Sequence, residues 1–230
     1  MKNIVGLLLI TLAATVVFAE NVAVITKARG DVLLRKADTP NYSQSVTVGT
    51  PIEKYDQIKV SDGFAIMLLL DNQSQFKLRE NTEVAITMVE NPNGTDYRVR
   101  LDYGQALTKF QTVPGTGFYI TTPTSVVSVK GTSFWTVTHP EAGDNVIVLD
   151  GVVEVMNLQS RVTSTASEGQ TIRSLPDGTI QSAPTVPGTI PKDPGISEGT
   201  DGTRSKLGLA MYISLFTVIL LASYFHYGTL

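Results

Sequence analysis

The chain has 230 residues, a formal net charge of -3 and no cysteine. The lack of cysteine excludes disulfides, thiolate metal sites and a cysteine nucleophile. Its 18 basic residues are spread among 21 acidic ones, without the clustered positive charge that nucleic-acid binding requires.

The N-terminus predicts a secretory signal peptide over residues 1–19. Lys2 precedes an uncharged apolar run from Ile4 to Phe18, and small residues then lead into a polar stretch. An apolar helix of about 15 residues would be only about 22 Å long, short of the roughly 30 Å hydrocarbon core of a bilayer. We therefore expect export and cleavage after Ala19, with an uncleaved N-terminal anchor as the alternative.

Residues 20–182 carry the signals of a β domain. Residues 97–101 alternate cleanly, with Arg98 and Arg100 on the polar side, whereas residues 65–70 are apolar at every position, which is typical of a strand covered on both faces. Four dipeptides suited to two-residue hairpins lie between predicted strands: Asp62-Gly63, Asn93-Gly94, Asp150-Gly151 and Asp177-Gly178. We expect an all-β fold, a compact roll or sandwich of many short, mostly antiparallel strands.

Two segments of different composition follow the predicted β domain. Residues 183–206 are rich in proline, glycine and small polar residues, a composition that predicts a linker and spacer. Residues 207–225 carry no charged side chain, and about 20 apolar residues suffice to cross a bilayer as a helix, which we expect to span residues 207–227. We expect one C-terminal transmembrane helix.

The flanks of this predicted helix leave two topologies open. Arg204 and Lys206 precede the helix, and the positive-inside tendency would place them, and hence the domain, in the cytoplasm. We favour export, because that tendency weakens for a large domain already committed by an N-terminal signal. The expected location is the bacterial cell membrane with the folded domain facing the periplasm or cell exterior, and a cytosolic tail-anchored protein is the alternative.

One ordered set of motifs resembles the FecR domain family. Residues 121–134 read TTPTSVVSVKGTSF, similar to that family's pattern of a Thr-Pro pair followed by a basic residue, Gly-Thr and Phe. The resemblance extends over residues 24–180 through a glycine-led strand start at Gly30, a second at Gly104 and a hairpin at Gly151. It implies an all-β, extracytoplasmic domain.

The resemblance also implies a role that this sequence departs from. In the founding members, the domain transmits an iron-uptake signal from an outer-membrane receptor to a cytoplasmic segment that binds a sigma factor. Here a predicted signal peptide stands in place of that segment, so we do not expect the anti-sigma role to carry over.

The family-motif residues are Pro123, Lys130, Gly131, Thr132, Phe134 and Gly151. Lys130, Gly131 and Thr132 are candidates for a contact site, but we favour a structural role, with the glycine permitting a bulge or a close backbone approach. Phe134 or Trp135 is expected to fill the core. Strict alternation predicts that Val127, Val129, Trp135 and Val137 share one face.

Three functions remain open from the sequence. The favoured one is a non-catalytic binding or scaffold module, whose partner is an envelope protein or a cell-wall glycan. The second is a signal-transduction regulator that acts through its transmembrane helix. The third, an enzyme with a carboxylate pair such as Glu141 and Asp144 or Asp62 and Asp71, is disfavoured, because these acids sit at glycine-containing turns. No catalytic, cofactor-binding or metal residue is assigned.

Overall fold

The computed structural model describes residues 20–70, 74–111 and 114–195. The predicted signal peptide and transmembrane helix, and residues 196–206 of the predicted linker, lie outside these ranges. The described residues all belong to one compact unit. Within them, no helix combines the length and the apolar character that membrane crossing demands.

The regular secondary structure of the described chain consists of β-strands apart from one short 3-10 turn. The strands in chain order are β1 (Asn21–Arg29), β2 (Val32–Arg35), β3 (Gln44–Ser45), β4 (Pro51–Glu53), β5 (Gln57–Val60), β6 (Phe64–Leu69), β7 (Gln75–Arg79), β8 (Thr82–Asn91), β9 (Gly94–Lys109), β10 (Gly117–Thr121), β11 (Ser125–Val129), β12 (Ser133–His139), β13 (Gly143–Asp150), β14 (Val152–Asn157), β15 (Thr163–Ser167), β16 (Gln170–Ser174) and β17 (Ile180–Pro184). A single 3-10 turn, Pro187–Thr189, follows within the described ranges. The predicted all-β fold is confirmed.

The strands form two sheets that share β9. Sheet A has the order β4-β1-β6-β7-β9-β12-β13-β16-β17. Sheet B has the order β3-β2-β5-β8-β9-β10-β11-β14-β15. Of these pairings, only β9 with β10 is parallel.

The long strand β9 passes from one sheet to the other at Gly104. Its residues up to Tyr103 pair with β8 in sheet B, whereas Gly104 pairs with β12 in sheet A. Gly104 has φ +108°, and a Cβ at this position would collide with Thr82. Glycine is therefore the residue that allows the bend.

The two sheets pack face to face on one apolar core. Phe76 of sheet A and Phe118 of sheet B have ring centroids 6.3 Å apart, and Phe110 lies 5.1 Å from Phe118. In β9, Tyr97 and Leu101 are fully buried between the sheets. This arrangement is a β-sandwich, and the alternation predicted for residues 97–101 matches it.

Both Phe134 and Trp135 are buried, but on opposite faces of sheet A. Phe134 belongs to the core between the sheets, together with Val127 and Val129, whereas Trp135 packs outside it. The prediction that Val127, Val129 and Trp135 share one face is therefore wrong. The chain leaves sheet B after Val129 and enters sheet A at Ser133, so alternation does not continue through the intervening turn.

The described chain continues in contact with sheet A after residue 182. Ala183 and Pro184 still pair with β16, opposite Thr171 and Gln170. Residues 185–195, which we call the strap, then follow, and Asp193 forms an ion pair with Lys77 of β7. The first half of the segment predicted as a linker is thus joined to the domain by specific contacts.

Candidate functional site

The Thr-Pro motif forms the tight turn between β10 and β11. The Thr122 N–H donates to the Ser125 carbonyl at 2.9 Å. The Thr122 hydroxyl oxygen accepts hydrogen bonds from the N–H groups of Ser125 at 2.8 Å and Thr124 at 3.2 Å. Pro123 occupies the second turn position, where its fixed φ is favourable. The motif therefore closes the strand connection with its own side chain.

This turn is hydrogen-bonded to a buried carboxylate, that of Asp144 in β13. Asp144 is 1% exposed. Its Oδ2 accepts a 2.6 Å hydrogen bond from the Thr122 hydroxyl, and its Oδ1 accepts one from Thr138. Burial raises the pKa of Asp144, and the hydrogen bonds from the threonines counteract part of that rise. The hydrogen bonds of Asp144 thus join the Thr-Pro turn to β12 and β13, which is a structural role.

The raised pKa gives an expected pH dependence for Asp144→Asn. The folded state binds the Asp144 proton more tightly than the unfolded state, so this group stabilises the wild type fully only below the unfolded pKa of about 3.9. Stability from this source is lost as pH rises from there to the raised folded pKa. We expect the variant to lose about 1–3 kcal/mol at pH 4 and less at pH 7. Urea unfolding at both pH values measures this difference.

The exposed Glu141→Gln is the matched control and should leave stability unchanged at both pH values. A cost of Asp144→Asn that grows with pH would contradict the proposed environment, because it would show that the folded state favours the charged carboxylate.

The Lys-Gly-Thr motif forms the turn between β11 and β12 and contacts the turn between β13 and β14 at Gly151. The hairpin predicted at Asp150-Gly151 is not formed, because β13 pairs within sheet A and β14 pairs within sheet B. Gly131 has φ +64°, and Gly151 has φ +82°. A Cβ on Gly151 would lie 2.7 Å from the Gly131 carbonyl oxygen. The Thr132 carbonyl accepts a 2.9 Å hydrogen bond from Phe110 N–H. In this turn Lys130 is exposed, whereas Thr132 and, in the following strand, Phe134 are buried.

The carboxylates considered for catalysis differ in their surroundings. Asp144 is buried, whereas Glu141 is exposed in the turn before β13. The His139 Nδ1 accepts weak hydrogen bonds in that same turn, from Glu141 N–H at 3.3 Å and Ala142 N–H at 3.4 Å. Asp71 lies outside the described residues. The described ranges contain no cluster of three or more histidine, cysteine or acidic side chains suited to a metal ion.

The outer face of sheet B carries a shallow basic groove. Register places Gln57 opposite Ala85, Ala85 opposite Arg100, and Arg100 opposite Thr121. Thr87 and Arg98 form the adjacent cross-strand pair. The resulting cavity has a volume of about 410 Å³ and is lined by Ala85, Thr87, Arg98, Arg100 and Thr121, with Tyr55 and Gln57 at one end. We call these seven residues the basic groove.

Charge and polarity in the basic groove favour an anionic ligand. The Arg98 and Arg100 side chains are 57% and 54% exposed. Arg100 Nε lies 3.0 Å from an Asp102 carboxylate oxygen, whereas Arg98 is 4.0 Å from Asp96, so both guanidinium groups keep donors toward solvent. The Thr87 hydroxyl is buried and makes no hydrogen bond within the described residues.

A second aromatic and charged cluster lies beside the groove on the same face. The Tyr42 ring lies 5.6 Å from the Arg35 guanidinium and 5.9 Å from the Lys59 ammonium. Tyr103 donates a 3.1 Å hydrogen bond to Glu83, and burial together with this carboxylate raises the pKa of Tyr103. Such tyrosine and arginine side chains offer rigid contact area and directional donors.

Sequence reasoning placed Arg98 and Arg100 on the polar side of a strand but did not identify the basic groove. The groove draws side chains from β5, β8, β9 and β10, and their register is not encoded by local spacing. The structure does not bring the six family-motif residues into this groove.

The fold and its turns define a β-sandwich domain with a Thr-Pro turn closed on a buried aspartate and a glycine-to-glycine contact between two turns that connect the sheets. The family model described as FecR protein matches residues 56–154. The chain therefore carries a FecR domain, as its motifs predicted, and the match includes all six family-motif residues.

Two solved structures are similar to this chain. Both are crystal structures of a proposed anti-sigma factor from Parabacteroides distasonis, at 1.65 Å and 2.50 Å resolution. Each is 20% identical, with TM-scores of 0.46 and 0.48, and the match covers 56% of this chain and 59% of theirs. The chain thus matches about three fifths of the length of those proteins. No curated protein matches the chain.

Proposed function

We propose that this chain is a membrane-anchored, extracytoplasmic FecR-domain module with a non-catalytic binding role in the bacterial cell envelope. The observation that carries the proposal is the basic groove, where Arg98 and Arg100 project over a floor of small side chains. The signal peptide, the membrane anchor and the extracytoplasmic location in this proposal are inferred from the two apolar segments of the sequence.

The groove fits an extended anionic partner. Its floor of Ala85, Thr87 and Thr121 leaves room between the two guanidinium groups, which project from adjacent rows of sheet B. Guanidinium forks bind carboxylate and phosphate groups with paired hydrogen bonds, and Tyr55, 62% exposed, adds an aromatic surface at one end. The proposed partner is an acidic segment of an envelope protein or an anionic cell-wall glycan.

Loss of the two arginines should strongly reduce partner capture. With a photo-crosslinking residue in place of the exposed Thr121, the chain should capture its partner in membranes, and Arg98→Ala with Arg100→Ala should reduce the yield at least tenfold. Each charged contact contributes about 1.5–3 kcal/mol, and about 1.4 kcal/mol is a factor of ten in affinity. Mass spectrometry identifies the adduct as protein or glycan.

The matched control is Arg173→Ala, which removes an exposed arginine from sheet A. It should leave the crosslink yield as in the wild type. Equal yields from the double variant and the wild type would refute the groove as the contact surface.

The second candidate function is an envelope signal-transduction regulator acting through the predicted helix 207–227. The FecR match favours this role, because the family resemblance implies signal transmission across a membrane. Exchange of that helix for an unrelated one separates the two functions. A binding module keeps its crosslinks and its cellular effect, whereas a regulator keeps the crosslinks and loses the effect.

A further inference from the structure

A single row of side chains crosses the outer face of sheet A, the face opposite the core. Strand register aligns, in order, Lys27, Ile66, Lys77, Leu107, Trp135, Ile147, Thr171 and Ala183. We call these eight residues the outer row. Its central members are buried although they point away from the core: Lys77 is 7% exposed, Leu107 and Trp135 1%, and Ile147 2%.

The strap covers the outer row along its length. Val186 and Thr189 line a cavity of about 340 Å³ with Ile147 and Thr171. Further along, Asp193 binds Lys77, and a Cβ at Gly195 would lie 2.8 Å from Ile66 Cδ1. The strap therefore passes over Trp135 between these two points. It makes one 3-10 turn at Pro187–Thr189, and its prolines restrict its backbone conformations.

One carboxylate provides the strongest contact between the strap and the outer row. Lys77 Nζ donates to both carboxylate oxygens of Asp193, at 2.7 and 2.9 Å, and Lys109 Nζ lies 3.6 Å from Oδ2. The Lys77 and Asp193 side chains are 9% and 18% exposed, so water screens the pair little. The apolar strap residues contribute less, because Val186 is 62% and Ile190 37% exposed.

These features are those of a peptide bound in a groove: proline restriction of the backbone and one acidic anchor over a cationic and apolar floor. We propose that the outer row is a peptide-binding groove and that the strap is its resident ligand. A proline-containing segment of a partner protein exchanges with the strap by placing a carboxylate on Lys77 and Lys109. This site lies on the opposite side of the sandwich from the basic groove.

Trp135 provides a direct readout, because it is the only tryptophan in the chain and lies under the strap. In the detergent-solubilised full chain, Asp193→Asn should release the strap and shift the tryptophan emission to longer wavelength. The same amide substitution at the exposed Asp38 is the control and should leave the emission unchanged. A peptide of residues 184–195 should bind the Asp193→Asn chain and restore the short-wavelength emission.

The same peptide carrying Asp193→Asn should bind at least tenfold more weakly. The wild-type chain should bind the unmodified peptide more weakly than the Asp193→Asn chain does, because its own strap competes. Arg98→Ala with Arg100→Ala should leave this titration unchanged, which separates the outer row from the basic groove.

An unchanged emission in Asp193→Asn, or equal binding of the two peptides, would overturn the proposal. Should Asp193→Asn fail to fold, Gly195→Ala gives a second measurement. It retains the ion pair, strains a residue at φ +83° and crowds Ile66, so it should also loosen the strap and increase peptide binding.

Discussion

Replacing Trp135 with alanine should lower the free energy of unfolding by about 3 kcal/mol, at the lower end of the 3–5 kcal/mol typical for buried tryptophan or phenylalanine. Trp135 is 1% exposed and packs against Leu107, Ile147 and Leu149 in a cluster separate from the main core. The lower end is expected because the strap can settle into part of the vacated space. Urea unfolding followed by circular dichroism measures the change.

Two control substitutions give the smallest and the largest losses of stability with which this result is compared. Val152→Ala, at a side chain that is 51% exposed, should change stability by less than about 0.5 kcal/mol. Phe134→Ala, in the core between the sheets, should cost about 3–5 kcal/mol. If Trp135→Ala resembled the exposed variant, the outer face of sheet A would be open to water, and the strap could not cover it as described.

Gly151→Ala should cost about 3 kcal/mol, from two sources. The φ of +82° forces alanine into a left-handed conformation that costs about 1–2 kcal/mol. In addition, the new Cβ would lie 2.7 Å from both the Gly131 carbonyl oxygen and Thr132 Cγ2, so one turn must move away from the other. Thermal unfolding monitored by circular dichroism reports the loss.

Gly169→Ala carries the first source without the second. Gly169 has a similar φ of +77°, but a Cβ there has nothing within 4 Å. This control should therefore cost only about 1–2 kcal/mol, the backbone contribution alone. Equal losses in the two variants would mean that the contact between the Gly131 and Gly151 turns does not restrict the fold.

Local signals in the sequence were enough for the strand-rich fold and the family. Glycine-containing turns, the alternation at Tyr97, Val99 and Leu101, and the Thr-Pro and Lys-Gly-Thr motifs all act over a few residues. Conformational preferences at that range are set by each residue and its neighbours, so they can be read without a structure. The FecR match over residues 56–154 confirms the resemblance inferred from these motifs.

Alternation failed where the chain changed sheets. It correctly put Phe134 and Trp135 on opposite faces of β12. It could not show that both faces are covered, because the cover over Trp135 comes from the strap, near the end of the described chain. Continuing the alternation back through Gly131 to Val129 then assigned Trp135 to the wrong face.

What the sequence determined by itself is therefore the class of fold, its turns and its family. Only the tertiary structure decided the basic groove, which depends on the register of four strands, and the position of the strap. The composition of residues 183–195 predicts a spacer, since so few apolar side chains bury little surface. An ion pair between Lys77 and Asp193, 116 residues apart, joins that segment to sheet A. Contacts at such separation arise only when the folded sheet brings both partners together.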